Sequence, residues 1–235
     1  MRRYSVLLAA AALAFAGAAA CAEVPEGYKL LYSQDCADES ALKDVEFTDP
    51  AAWRFTKESG GNSLELFQQS KYKPSVRSPL NIALVAGKAF GDFVMEAELL
   101  STKQEYPHRD MCLFFGFVSP AKFYYCHIGS RIDAISHNVL IVNDAPRAPI
   151  TKKRSDGVKW GEGAWHRVRL ERKLADGSIR LFFDDMKEPI MLAEDKTFGE
   201  GSIGFGSFDD TGKVRRIRIW GPLLNEKKST FFPRQ

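Results

Sequence analysis

After its first two dozen residues the chain has no segment of ten or more residues with a clear 3.6-residue hydrophobic period. It alternates with period two instead. "DFVMEAELL", 92–100, sets Phe93, Met95, Ala97 and Leu99 against Asp92, Val94, Glu96 and Glu98. That is the pattern of a strand with one buried face. "WHRVRLERK", 165–173, alternates in the same way, and "MCLFFGFV", 111–118, is continuously apolar, as in a strand covered on both faces. "FYYCHI", "HNVLIVN", "SIRLFFDD", "GSIGFGSF" and "KVRRIRIWG" continue the series to residue 221. Gly, Pro and Asp turns separate them, among them the hairpin dipeptide Asp176-Gly177. Only "DCADESALKDVEF", 35–47, has room for a short helical turn. The chain therefore reads as all-β, a sandwich or barrel. Its 235 residues fit one such domain.

The start lies outside that pattern. "MRRYSVLLAAAALAFAGAAACAE" carries two arginines, an apolar run and then small residues, the order of a secretory signal peptide. The expected division is a leader over 1–22, a sandwich over 23–222 and a loosely held tail over 223–235. Two readings of the leader stand open. Signal peptidase cuts near Ala20 or Ala22, or Cys21 carries a lipid anchor. Either implies export to the periplasm, outer membrane or extracellular space of a bacterium.

Removing Arg2 and Arg3 with the leader takes the charge balance from 33 basic against 30 acidic residues to 31 against 30. A near-neutral chain has no general pull on nucleic acid. The "TKKR" cluster, 151–154, reads as a solvated loop. Beyond Cys21 only Cys36, Cys112 and Cys126 remain, with no C-x-x-C pair, which argues against zinc and thioredoxin chemistry. Cys112 and Cys126 fall on neighbouring strands, as a bridge or as two buried thiols.

Three stretches carry a resemblance: "FGDFVMEAEL", 90–99, "WGEGAWHRVRLERKLADGSIRLFFDD", 160–185, and "GEGSIGFGSFDDTGKVRRIRIWG", 199–221. Over about residues 88–222 the chain resembles the 3-keto-disaccharide hydrolase-like domains of the concanavalin A-like lectin and glucanase superfamily. The resemblance implies a two-sheet jelly roll and an exported protein that acts on or binds carbohydrate. That family has an Asn-Ser-Gly segment leading into a strand ending in Arg, where this chain has "HRDMCLFFGF", 108–117. No catalytic residue is carried over from it.

The candidate chemistry comes from the residues of one stretch, "FYYCHIGSRIDAISHNVLIVNDAPR". Alternation puts Phe123, Tyr125 and His127 on one face of a strand. A four-residue turn at "SPAK" pairs Val118 with Phe123 and Phe114 with His127, which brings Asp110 onto that face. A slip of one residue would reverse the faces. The candidate catalytic set is His127, His137, Tyr125 and Arg147, with Asp110, Arg109, Asn138 and Asn143 as substrate contacts, on the concave sheet. Imidazole moves protons near neutral pH. Tyr125 offers an acid or a stacking plane, and Arg147 a grip on a carboxylate or oxyanion. Such a set suits β-elimination on a uronic acid or a 3-keto sugar.

Two metal readings accompany it. Asp209 and Asp210 in "SFDDTG" offer hard oxygen ligands to a structural Ca²⁺. His127, His137 and Asp133 offer a transition-metal set. His108 reads as a loop cap and His166 as outward-facing. "HRD", 108–110, also occurs in kinases, but no phosphate loop accompanies it. Retaining jelly-roll glucanases use an E-x-D-x-x-E strand, which this chain lacks. Its acidic pairs, Glu96/Glu98 and Asp184/Asp185, read as solvated. The leading expectation is a glycoside hydrolase-like or lyase-like protein. A lectin-like module and a structural cell-envelope protein are the rivals.

Overall fold

The computed structural model describes residues 24–227 and 230–234. The predicted leader, with Cys21, lies outside them. The described strands of the first half are β1 (Lys29–Gln34), β2 (Val45–Phe47), β3 (Trp53–Thr56), β4 (Ser63–Leu66), β5 (Asn81–Val85), β6 (Lys88–Phe90), β7 (Phe93–Ser101) and β8 (Asp110–Ser119). Then come β9 (Lys122–Gly129), β10 (Asn138–Asn143), β11 (Ala148–Pro149), β12 (Thr151–Arg154), β13 (His166–Arg172) and β14 (Ser178–Phe183). The last are β15 (Met191–Glu194), β16 (Ser202–Ser207), β17 (Gly212–Gly221) and β18 (Leu224–Glu226). The expected helical turn is a 3-10 turn, Glu39–Asp44, capped by the Asp38 carboxylate on Ser40 N.

Two antiparallel sheets face each other. One has the order β12-β15-β14-β13-β7-β17-β4-β3, with β1 also on β17. The other runs β11-β10-β9-β8-β16-β5-β2. Neighbours that are distant in sequence, such as β16 between β8 and β5, make this a jelly roll rather than a meander. The inner faces meet through Met95, Ala97, Leu99, Val168 and Leu170 from one sheet and Leu113, Phe115, Cys126, Ile128 and Phe205 from the other. Each large side chain so buried contributes about 1.5–3 kcal/mol. The alternation read in "DFVMEAELL" and "WHRVRLERK" supplies one half of this core.

The outward Glu96 and Glu98 are paired rather than solvated. Glu96 takes Arg167 at 2.8 Å, and Glu98 takes Arg215 and Arg216 at 2.7 Å each. His166 is also not outward. It is buried, with Nδ1 2.8 Å from Asp184 Oδ2 and Nε2 2.7 Å from Trp160 O. "TKKR" is an edge strand, because β12 pairs with β15. The tail is packed: β18 pairs with β6, and Phe232 is buried. Two adjacent aromatics at its end give it apolar area that the seven-stranded sheet can cover.

Cys112 pairs across the sheet with His127, and Cys126 with Leu113. The two thiols therefore point to opposite faces, and Cys36, Cys112 and Cys126 are all free and buried. At "SPAK" the register is the expected one, but beyond a bulge it differs. Ser119 pairs with Lys122, and Phe114 with Tyr125. The ladder shifts between Phe115 and Ser119, where Gly116 takes φ 53. The slip relative to expectation is two residues, an even number. Asp110 and His127 therefore stay on the same face even though the pairing is different.

Candidate functional site

The seven-stranded sheet is covered on both faces. Its outer face carries a second apolar cluster, with Ile82, Leu84, Phe114, Phe117, Phe123, Tyr125, Leu140 and Val142 among its members. The 67–80 segment between β4 and β5 lies over it through Tyr72 and Val76, and the tail through Phe231 and Phe232. At the end of the sheet where β8 begins and β9 ends, this cover stops. A cavity of about 480 Å³ opens there, lined by Arg77, His127, Asp133, Arg147, Phe208 and Asp209 among others. A ligand pocket has this size. A larger depression, about 620 Å³, lies on the other sheet beside Arg167, Arg169 and Glu171. Its arginines are already paired with Glu96 and Glu171.

The pocket floor is built on Asp110. Its Oδ2 accepts Phe208 N at 2.9 Å and Cys112 Sγ at 3.2 Å, and lies 3.3 Å from His127 Nε2. This carboxylate orients the imidazole. His127 Nδ1 and Asp110 Oδ1 are left without a partner just beneath the floor. Behind Asp110 stands Asp210, whose Oδ2 accepts Asp110 N at 2.9 Å and whose Oδ1 accepts the Tyr106 hydroxyl at 2.7 Å. Burial, then the Asp110 charge, pushes the Asp210 carboxyl up to about 6. The same two causes raise Asp209.

Two guanidiniums share the Phe208 ring. Arg147 lies 3.6 Å from its centroid and Arg77 5.8 Å. The Arg147 amide also donates to Arg77 O at 3.1 Å, which ties the 67–80 segment to the β10–β11 loop. Among the described residues neither guanidinium has an ion-pair partner, and Arg147 Nη1 is unpartnered. Asp133, by contrast, is occupied. Its Oδ1 caps Ile135 N at 2.6 Å and also accepts Ser136 N, and its Oδ2 lies 3.4 Å from His108. His108 thus braces the 130–137 loop rather than capping its own.

The structure brings together Asp110, His127, Arg147 and Asp209, with Asp210 and Tyr125 directly below. Tyr125 is fully buried, its ring packed 5.9 Å from Phe114 and 6.1 Å from Phe123, so it has no free face for a sugar. Burial raises its hydroxyl well above the ordinary phenol range. His137 stands apart at φ 53, with Nε2 3.0 Å from Ser155 Oγ. Burial and Arg154 lower its pKa to about 4. Arg109 is buried away from the pocket. It donates to Ser101 Oγ at 3.0 Å, Ser101 O at 2.8 Å and Gly161 O at 2.7 Å. Asn138 is opposite His127, but its amide donates to Ser136 O at 3.2 Å. Asn143 is exposed at the far end of β10.

Among the described residues the His127–His137–Asp133 metal set does not form. Donor atoms within 4.8 Å of one another come instead from Asp110, Asp209 and Asp210, and from Asp110, Cys112 and His127. The three carboxylates, one with an unpartnered oxygen, have the chemistry for a hard cation such as Ca²⁺. Arg77, Phe208 and Tyr106 were not legible as site residues. "SFDDTG" sets an aromatic next to an acidic pair, but nothing local marks Arg77.

No family model matches the chain, and no curated protein matches it. Solved structures do. A carbohydrate-binding module of Bacillus subtilis aligns at 11% identity, over 76% of this chain and 96% of its own, with a TM-score of 0.53. A winged bean acidic lectin complexed with methyl-α-D-galactose aligns at 12% identity, over 85% and 100%, with a TM-score of 0.54. A GH43 protein of Bacillus licheniformis aligns at 9% identity, over 80% of this chain and 38% of its own, with a TM-score of 0.56. With the sheet order above, these likenesses identify the fold as a concanavalin A-like jelly-roll β-sandwich.

Proposed function

We propose that this is an exported carbohydrate-active protein that binds an acidic sugar in the pocket over His127 and eliminates across it, as a lyase does. One observation carries the reading. Two guanidiniums without ion-pair partners stand beside an imidazole oriented by a buried carboxylate. In this scheme Arg77 and Arg147 hold the sugar carboxylate and stabilise the enolate that develops on it. His127, which lines the pocket and is held with Nε2 3.3 Å from Asp110 Oδ2, takes up the proton beside the carboxylate. The electron pair forms the new double bond as the glycosidic oxygen leaves. Asp209, which is exposed beside the pocket and has a raised pKa, returns a proton to that oxygen. A 3-keto sugar would be served by the same groups. The leader supports export.

The nearest rival is binding without chemistry. It is favoured by the likeness to a carbohydrate-binding module along nearly that module's whole length. The test is to incubate the purified protein with uronate polymers, neutral polymers and 3-keto glycosides, following the ultraviolet absorbance of unsaturated products. Product from an acidic or 3-keto sugar, lost in His127→Ala and Arg147→Ala, is the expected result. Glycan binding with no product on any substrate overturns the elimination and leaves the lectin-like reading. Neither binding nor product leaves only a surface for protein contacts in the envelope.

A further inference from the structure

The outer face of a jelly-roll sheet is a natural trough for a polymer, and here the chain fills its own trough. The 67–80 segment leaves β4, is tied to Asp49 through Lys71 N at 2.9 Å, and crosses the sheet with Tyr72 and Val76 packed on the apolar cluster. It reaches the β10–β11 loop at Arg77 and returns to β5, where Leu80 N donates to Phe208 O at 2.9 Å. The tail covers what remains. Phe231 and Phe232 pack 5.2 and 5.8 Å from Phe117, and Tyr72 lies 5.6 Å from Phe232. Glu46 Oε2 accepts Phe231 N at 2.9 Å, and Phe47 N donates to Pro233 O at 2.9 Å. This cover is fastened by side chains and backbone at several points.

The opposite wall is equally fixed. Arg154 donates to three carbonyls of the 130–137 loop, those of Asp133, Ser136 and His137, at 3.0, 3.0 and 3.2 Å. The pocket over His127 therefore has a floor of sheet, one wall of 67–80 segment, a second of pinned loop and a third at Phe208 and Asp209. A chain passing through it would have to displace the Arg77–Arg147 tie or the packed aromatics.

We infer that the site reads the end of a sugar chain, as a blind pocket without subsites for residues on both sides of the bound unit. This rests on the carbohydrate reading above. It makes the 67–80 segment and the tail determinants of specificity, because they decide which part of a polymer can enter. If elimination occurs, the same geometry makes it exolytic, with one product size released from the first turnover.

The test uses a glycan array carrying uronate and neutral oligosaccharides in matched series of two to six residues, followed by titration of the best series in solution. A blind pocket gives a per-chain affinity that changes by less than about threefold from the dimer upward, since added residues meet no surface. Binding is lost in Arg147→Ala. Affinity that climbs by about tenfold or more along the series shows extended subsites and overturns the inference while leaving the carbohydrate reading intact. A length-independent signal unaffected by Arg147→Ala puts the sugar elsewhere and also overturns it. No binding on the array overturns the carbohydrate reading and this inference with it.

Discussion

Asp110 and His127 lie on neighbouring strands two positions out of direct register, yet Asp110 Oδ2 is 3.3 Å from His127 Nε2. The carboxylate also receives Phe208 N and Cys112 Sγ, so three elements converge on one buried charge. Asp110→Asn keeps the shape and removes the charge. Its amide oxygen takes the acceptor place of Oδ2 and its NH2 the place of the unpartnered Oδ1, so what is lost is the charge that holds these donors. Chemical denaturation is expected to show a loss of about 2 kcal/mol, the scale of hydrogen bonds to a buried charged group. Ligand binding or turnover should fall with it, because His127 loses its orientation.

The His137 site makes a pH prediction. Burial lowers its pKa from 6.5 to about 4, so between those values the unfolded chain binds a proton that the folded one does not. The stability it contributes is complete above 6.5 and declines as the pH falls toward 4. Asn tolerates the φ of 53 found here and does not titrate. Thermal melts from pH 7 to pH 4 should therefore decline less steeply in His137→Asn than in the parent protein. Equal slopes would contradict the assignment.

The carboxylates of Asp110, Asp209 and Asp210 predict a cation response. Ca²⁺ binding would displace the protons that burial and the Asp110 charge favour on Asp209 and Asp210, so a bound ion competes with proton donation by Asp209. At about a hundredfold excess over its Kd, Ca²⁺ would stabilise the fold by about 2.7 kcal/mol. The expected outcome is a higher Tm on adding Ca²⁺, reversed by chelator and lost in Asp209→Asn. An unchanged Tm means that the carboxylates manage by protonation alone.

Arg109 separates structure from site. Its guanidinium bridges Ser101 and Gly161 away from the pocket. Arg109→Lys loses the planar fork and should destabilise by about 1–3 kcal/mol while leaving the affinity of folded protein for sugar unchanged. A selective loss of affinity would return Arg109 to the binding set.

The three described cysteines give a check on topology. Cys36, Cys112 and Cys126 are buried and free, and burial raises all three thiols. Alkylation mapped by mass spectrometry should find them unreactive in the folded protein and fully reactive in denaturant, without prior reduction. A Cys112–Cys126 bridge would contradict their placement on opposite faces.

The sequence alone determined the strands whose alternation faces one common core. The period-two pattern of Phe93, Met95, Ala97 and Leu99 survives any change of partner, because it is a property of the strand itself. It also kept Asp110 with His127, since the bulge at Gly116 moved the register by an even number. Tertiary structure alone decided which other polar groups join that pair. Arg77 lies 50 residues before His127 and reaches the pocket only because the 67–80 segment crosses the sheet. His137, ten residues after His127, is turned elsewhere by its left-handed backbone. Local periodicity reports which side of a strand is apolar. It carries no term for a distant segment that packs over that side and chooses, by burying some groups and sparing others, where a pocket is left.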